Sequence, residues 1–261
     1  MSTASKLKIA VLVLLFFVTA FPLGSQANSL NAGLIIYYPF DHQDQFGAMT
    51  WEVQELSKNS ATLGNAPTLV KGQMGQAYSF NGTNQYVVTP SFVPGTSIMT
   101  VAFWYYTKQW GHGDELTLES STNSNNTTGG FLINLNPSVA LTTTSLTVDI
   151  RGSTSSYYIA SCYTRPSVNA WHQYTFILDN STALGSTTLY IDGNPASFVG
   201  YSKYDKQASG NFPTQPIYMM SRAGSSLFAS STLDDVRIYS RALSQNEAAL
   251  LYQQGFATSG K

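Results

Sequence analysis

Short segments rich in β-branched and aromatic residues recur along the chain at close intervals: 34–40, 78–80, 85–89, 99–107, 131–135, 146–150, 171–178, 187–191 and 232–239. Several alternate apolar with polar. In Leu146-Thr147-Val148-Asp149-Ile150, residues 146, 148 and 150 fall on one face, and Thr188 and Asp192 flank Leu189 to Ile191 in the same manner. These predict half-buried strands. The breaks between them, Asn81-Gly82-Thr83, Gly129-Gly130 and Asp192-Gly193-Asn194, tolerate positive φ and suit tight turns. Many short strands with little helical periodicity predict an all-β, two-sheet antiparallel sandwich of jelly-roll type.

One helix stands out at the C-terminal end. Ser244-Gln245-Asn246-Glu247 is a capping-box pattern, Ala248 to Tyr252 continue it, and Gly255 is expected to stop it. The polar run from Ser120 to Thr128 reads as a loop. Neither an internal repeat nor a second domain is visible, so residues 28–261 are expected to form a single domain.

The first residues carry a different pattern. Lys6 and Lys8 precede an apolar run from Ile9 to Phe21, which ends in Pro22, Gly24 and the triplet Ser25-Gln26-Ala27. That is the layout of a signal peptide over residues 1–27, with cleavage after Ala27 and a secreted, extracellular product; an uncleaved N-terminal anchor is the alternative. The run is shorter than a membrane span needs, and no other stretch could form one. Charged residues make up only 10% of the chain and nearly cancel, at a net charge of −1, so nothing points to nucleic acid. The single cysteine, Cys162, has no intrachain partner and is expected to be a buried small residue. A chain without a disulfide must hold itself by its core or by a metal.

Five blocks resemble a known family. They are residues 37–41, Tyr-Tyr-Pro-Phe-Asp; residues 71–87, from Lys71-Gly72-Gln73-Met74-Gly75 through Asn81-Gly82 to Val87; and residues 99–104, ending in Phe103-Trp104. Trp171-His172-Gln173-Tyr174 leading to Leu189-Tyr190-Ile191-Asp192-Gly193, and Leu233-Asp234-Asp235-Val236-Arg237-Ile238-Tyr239 through Ser244, complete the set. Their order resembles the laminin-G-like, pentraxin-like branch of the concanavalin A-like lectin/glucanase superfamily. The resemblance implies a concanavalin A-like jelly roll; function is implied less directly, since the architecture hosts lectins, adhesion modules and glycosidases.

Three candidate sites emerge. The resemblance implies a calcium ion tying the N-terminal strand to the C-terminal one, at positions matching Asp41, the Asn81-Gly82 turn and Asp234; carboxylates and backbone carbonyls are the ligands that ion prefers. Alternatively Asp234 accepts backbone N–H groups at a sheet corner, with Asp235 and Arg237 facing solvent or paired with neighbours. A sugar-stacking surface is expected at Tyr105, Trp110 and Tyr158, near Tyr157, while Trp104 is expected in the core and Trp171 is explained by packing. Glu115 and Glu119 share a strand face in Glu-Leu-Thr-Leu-Glu. Glycosidases of the superfamily carry Glu-x-Asp-x-Glu, but Thr117 replaces the middle acid that would split the two pKa values, so a solvated strand is the competing reading.

His42, His112 and His172 form no metal-type spacing, and His172 reads as structural. Asn81, Asn125, Asn126 and Asn180 begin Asn-x-Ser/Thr triplets. The expected function is a lectin-like binding or adhesion module for carbohydrate or an extracellular protein, with calcium as a structural ion. A polysaccharide hydrolase or lyase and a purely structural surface protein are the alternatives.

Overall fold

The computed structural model describes residues 29–41, 61–110, 115–120, 130–137, 141–151, 158–182, 185–205 and 210–257. The expected leader cleavage after Ala27 lies outside the described residues, as do His42, His112, Asn125, Asn126 and Tyr157. No helix among the described residues is long and apolar enough to cross a membrane.

Two antiparallel sheets of eight strands each face one another. The first sheet runs β13 (Asn194–Pro195), β12 (Ser186–Ile191), β11 (Trp171–Asp179), β6 (Ile98–Tyr106), β16 (Thr232–Tyr239), β4 (Gln76–Ser79) and β3 (Thr68–Lys71), with β1 (Leu34–Tyr38) also paired to β16. The second runs β14 (Phe198–Tyr204), β10 (Tyr158–Thr164), β9 (Ser145–Arg151), β8 (Phe131–Asn134), β7 (Leu118–Ser120), β15 (Ile217–Met219), β5 (Tyr86–Val88) and β2 (Thr62–Gly64). This is the expected sandwich. Alternate residues of each strand fill the space between the sheets: Met99, Val101, Phe103 and Tyr105 from β6 meet Tyr174, Phe176 and Leu178 from β11 and Phe131, Ile133, Val148 and Ile150 from the other sheet. Cys162 is buried and unpaired in β10.

The remaining faces of the first sheet are partly covered by helix α1 (Gln245–Ala257), which closes a second, smaller apolar layer of Ala102, Tyr239, Leu243 and Leu251. Its start is the expected capping box, with the Glu247 backbone N–H on Ser244 Oγ at 3.3 Å and the Ser244 N–H on Glu247 Oε2 at 2.8 Å. Its end is not where the sequence suggested. Gly255 does not terminate the helix but lies inside it, because a Cβ there would stand 2.2 Å from the Trp104 ring. Trp104 is buried as expected, though beneath α1, where it packs on Tyr252 at 5.6 Å and Phe256 at 6.1 Å, and not between the sheets.

Two local devices position the side chains of the candidate sites. The turn Asp192-Gly193 has positive φ at both residues, 54° and 74°, the two-residue hairpin geometry whose twist suits the flanking strands. Asp192 accepts the Gln173 N–H at 2.9 Å and meets His172 Nδ1 at 2.7 Å, so His172 belongs to this turn. The second device is a bulge at Asp235 (φ 50°), where β16 slips in register against β6 between Asp234 and Arg237. Along its other edge β16 pairs with β4 at Thr232 and Leu233 and with β1 from Val236 to Tyr239. The bulge therefore lies where one edge partner ends and the next begins.

Candidate functional site

The gap between β1 and β4 gathers the first group of residues. The chain leaves β1 through Pro39 and Phe40, whose φ is 59°, and reaches Asp41 beside the turn that joins β3 to β4. Asp41 Oδ1 accepts the Gln76 N–H at 2.9 Å, and Asp234 Oδ2 accepts the Met74 N–H at 2.9 Å. Both carboxylates thus point at residues 72–76. The turn admits them only because it is built of glycine: a Cβ on Gly75 would stand 1.9 Å from Asp41 Oδ1, and one on Gly72 would stand 2.5 Å from Asp234 Oδ2.

Asp234 is fully buried at 0% exposure, and its Oδ1 has no hydrogen-bond partner. Burial pushes its carboxyl up to about 8; the Met74 N–H opposes the rise, and the negative charges of Asp235 and Asp41 add to it. A buried carboxylate oxygen without a donor is costly, and a cation is one group that would satisfy it. The reading in which Asp234 accepts a backbone N–H at a sheet corner holds for one oxygen, Oδ2, and the other is left over. No third histidine, cysteine or carboxylate joins the pair among the described residues. Asp235, expected to face solvent or pair with neighbours, is buried and grips Arg237 with both oxygens at 3.0 Å; Arg237 in turn reaches Gln254 Oε1 at 2.8 Å and lies over the Tyr37 ring. Asn81, the third expected ligand, is committed to its own turn: its Oδ1 accepts the Thr83 and Asn84 N–H groups at 2.9 and 3.2 Å. A hard cation here would be held by Asp41 and Asp234, with backbone carbonyls and water supplying the rest.

The expected sugar-stacking residues do not form one exposed face: Tyr105 and Trp110 stack on one another, and Tyr158 lies in the other sheet. Tyr105 is 2% exposed and points between the sheets, where burial raises its phenol far above the ordinary value and Ser231 and Thr117 hydrogen-bond to it. Its expected exposure is therefore corrected, because the even positions of β6, not the odd ones, face outward. Trp110 is half-buried; its ring lies parallel to Tyr105 at 6.3 Å, Arg165 lies over it at 4.9 Å, and its Nε1 donates to Pro166 O at 3.2 Å. Tyr158 opens β10 opposite Arg151, far along the other sheet.

A different aromatic pair occupies the outer face of the first sheet. Register aligns Trp171, Tyr106, Thr232, Ser79 and Thr68 in one row across β11, β6, β16, β4 and β3. Tyr106 and Trp171 are both half-exposed, with ring centroids 5.7 Å apart. Trp171 is thus a surface residue and not a core one. Beside Tyr106, on the side away from Trp171, opens a cleft of about 170 Å³ lined by Ser79, Phe80, Tyr106, Lys108, Gln109 and residues 230–232. Tyr106 follows Trp104 by two residues, about 7 Å along a strand, which carries it past the part of the sheet that α1 covers. Sequence reasoning missed it because all of Val101 to Tyr106 is aromatic or apolar, so alternation could not tell the two faces apart.

The two glutamates are separated. Regular pairing begins only at Leu118; Glu115 makes an isolated bridge to Asn136, so strand alternation does not carry from 115 to 119. Glu115 acts on the Tyr105 phenol, whereas Glu119 Oε1 accepts the Ala223 N–H at 2.8 Å with Arg222 Nε 3.8 Å from its other oxygen. Both are buried, against the expectation of a solvated strand. Burial pushes Glu119 up to about 7, opposed by Arg222, the Ala223 N–H and Arg151. Asn180 is also buried, with its amide donating to Gly210 O at 3.2 Å, which leaves no accessible nitrogen for a glycan.

Known proteins of the same shape are numerous. Domain 4 of AbnA, a GH43 extracellular arabinanase from Geobacillus stearothermophilus solved with arabinotriose, superposes with a TM-score of 0.56 at 20% identity, over 85% of this chain and 99% of that one. The binding domain of Paraclostridial Mosquitocidal Protein 1 gives 0.61 at 16% identity, over 86% and 52%. The binding domain of Botulinum Neurotoxin DC in complex with SialylT gives 0.54 at 11% identity, over 76% and 47%. This chain therefore spans about half of the two toxin domains. Among curated proteins no sequence matches it. A family profile does match, Laminin_G_3, over residues 81–249, which include β6, β11 and β16 and, of the row described above, Trp171, Tyr106 and Thr232. The chain belongs to this laminin-G-like family of the concanavalin A-like lectin/glucanases superfamily.

Proposed function

We propose that this protein is an exported glycan-binding module whose sugar site is the outer-face row of Trp171, Tyr106, Thr232 and Ser79, and whose neighbouring carboxylate pair holds a calcium ion. The observation that carries the reading is the half-exposed Tyr106–Trp171 pair, whose Tyr106 borders a hydroxyl-lined cleft on a sheet face that the helix only partly covers. Aromatic faces take the C–H face of a sugar ring, and hydroxyl and amide groups at its rim fix orientation. The arabinanase domain solved with arabinotriose and the toxin binding domain solved with SialylT support the class of ligand.

Calcium would be held by Asp41 and Asp234. Its contribution is charge neutralisation, which lets two carboxylates share one glycine turn and ties the segment that follows β1 to β16. Asp234 lies two residues from Thr232 on the same strand, so the ion would stiffen the backbone that lines the cleft.

A shallow cleft gives weak single-site affinity, and display of several copies makes it effective through avidity. The test is retention of a glycan panel on bead-immobilised protein, with wild type compared with Tyr106→Ala and Trp171→Ala. Retention that falls at least tenfold in both variants is the expected result. Equal retention in all three proteins would remove the row as the site.

A further inference from the structure

We infer that the cleft beside Tyr106 selects an acidic sugar unit, its carboxylate or sulfate meeting Lys108 while the ring lies against Tyr106 and Trp171; this rests on the glycan-binding reading above.

The lining is rich in donors and carries one positive charge. Ser79, Ser230, Thr232 and Gln109 bring hydroxyl and amide groups, Phe80 an apolar surface, and Lys108 the charge; no carboxylate lines the cleft. Lys108 makes no ion pair among the described residues, whereas the exposed Lys203 is already paired with Asp205 at 3.0 Å. Its backbone is fixed. Thr107 Oγ1 donates to Gln109 O at 2.8 Å, and the Asn169 N–H donates to Thr107 O at 2.8 Å, so the 107–109 turn presents Lys108 from a held position. Ser231 donates to Ser230 O at 2.7 Å and turns its hydroxyl away from any ligand. The nearby carboxylate, Asp234, is fully buried and accepts from Met74, so it faces the glycine turn and not the cleft.

Size limits the ligand further. The cleft, at about 170 Å³, lies below the range of about 300–1,000 Å³ typical of enclosed ligand sites. One sugar ring fits, and a longer chain would run out over the open face. An ammonium group in a donor-rich pocket without a carboxylate favours an anion over a neutral hydroxyl at the same position, by the larger strength of charge-assisted hydrogen bonds.

The experiment uses clustered full-length protein on an array displaying galacturonate, glucuronate and galactose 6-sulfate ends, with galactose and glucose ends as neutral counterparts. Wild type should bind at least one acidic end about tenfold better than its neutral counterpart. Lys108→Gln should erase that preference without changing binding to neutral ends or the melting temperature, and Lys108→Arg should keep it. Lys71→Gln, at an exposed lysine of the same sheet outside the cleft, serves as the control and should keep it as well. The galacturonate and galactose 6-sulfate arms distinguish carboxylate from sulfate. The inference is overturned if wild type shows no acidic preference, if Lys108→Gln retains it, or if Lys71→Gln lowers it equally, which would mean unspecific charge attraction. Those results leave neutral-sugar binding intact and so leave the broader reading standing, whereas loss of all binding in wild type overturns both.

Discussion

The two pairs of acids in this molecule are equally prominent along the chain, and the fold treats them in opposite ways. Asp41 and Asp234 come from strands at the two ends of the domain and converge on one glycine turn, leaving a buried oxygen without a donor. Glu115 and Glu119 are four residues apart, yet each is drawn to separate surroundings; Glu119 is satisfied by Ala223 and Arg222. Proximity in sequence therefore predicts little about shared chemistry. What distinguishes the pairs is the residual demand left after the protein's own donors are counted.

The largest effect expected from this contrast concerns Glu119. Its carboxyl titrates near 7 in the fold against 4.5 as the ordinary value, so the native state binds the proton more tightly than the unfolded chain does. Stability is then greatest below about 4.5, declines as the pH rises from there toward 7, and is level above that. Wild type should lose up to about 3 kcal/mol over this range relative to Glu119→Gln, at about 1.36 kcal/mol per pKa unit. Urea denaturation of both proteins from pH 4 to pH 8 measures the gap, and parallel curves would mean that Glu119 is not self-contained.

Next in size is calcium. An ion bound only by the native state at 100 times its Kd adds about 2.7 kcal/mol, which for a domain of this length raises the melting temperature by about 5–10 °C. Thermal scans with calcium and with chelator should show this shift in wild type and in Glu119→Gln, and none in Asp234→Ala. A shift that survives Asp234→Ala would place the ion elsewhere.

Smaller effects sharpen the boundaries of the carboxylate pair. Gln73 donates to Gly255 O at 2.9 Å and so links the glycine turn to α1; Gln73→Ala should cost about 1 kcal/mol, the worth of one hydrogen bond, and weaken the calcium response. Asn81→Ala should cost about 0.5–1 kcal/mol from the loss of its turn bonds and leave the calcium shift unchanged, measured by the same scans. A lost shift would restore Asn81 as a ligand.

Much of the fold was legible because alternation and turn chemistry are local. Expected strands 146–150, 187–191 and 232–239 match β9, β12 and β16 within a residue or so, and the capping box placed the start of α1. Strands without alternation escaped notice. β14 carries no buried residue over 198–204, and β2 and β15 are three residues long, so none offered a period to read; the strand expected over 115–119 shrinks to the equally short β7. Gly255 misled for a physical reason: glycine serves equally as a helix stop and as room for a neighbour, and only the Trp104 ring decides between them.

The site was less legible than the fold. Tyr105 and Tyr106 are adjacent and chemically identical, and which one faces outward depends on the register of β6, which sets its odd positions between the sheets; α1 then decides only how much of the outward face stays open. The convergence of the two aspartates on one turn was legible only through the family resemblance, while the role of Asn81 depends on turn bonds four residues or fewer in length.

The pairing of β1 with β16 has a mechanical consequence. Leu34 lies opposite Tyr239, so the outward ends of these two strands meet at the same end of the ladder. Tension applied between residues 29 and 257 would peel that ladder open bond by bond, like a zipper, because no set of bonds is loaded in parallel. Just ahead of the zipper's mouth stands Arg241, which donates to Ser29 O at 2.6 Å, to Ala32 O at 2.6 Å and to Glu247 at 2.7 Å. One guanidinium thereby fastens the segment before β1 to the start of α1, beside the Ser240 N–H on Gly33 O at 2.7 Å and the packing of Leu30 against Leu243 and Leu251, and the force at which this domain begins to yield is set by that cluster of rivets.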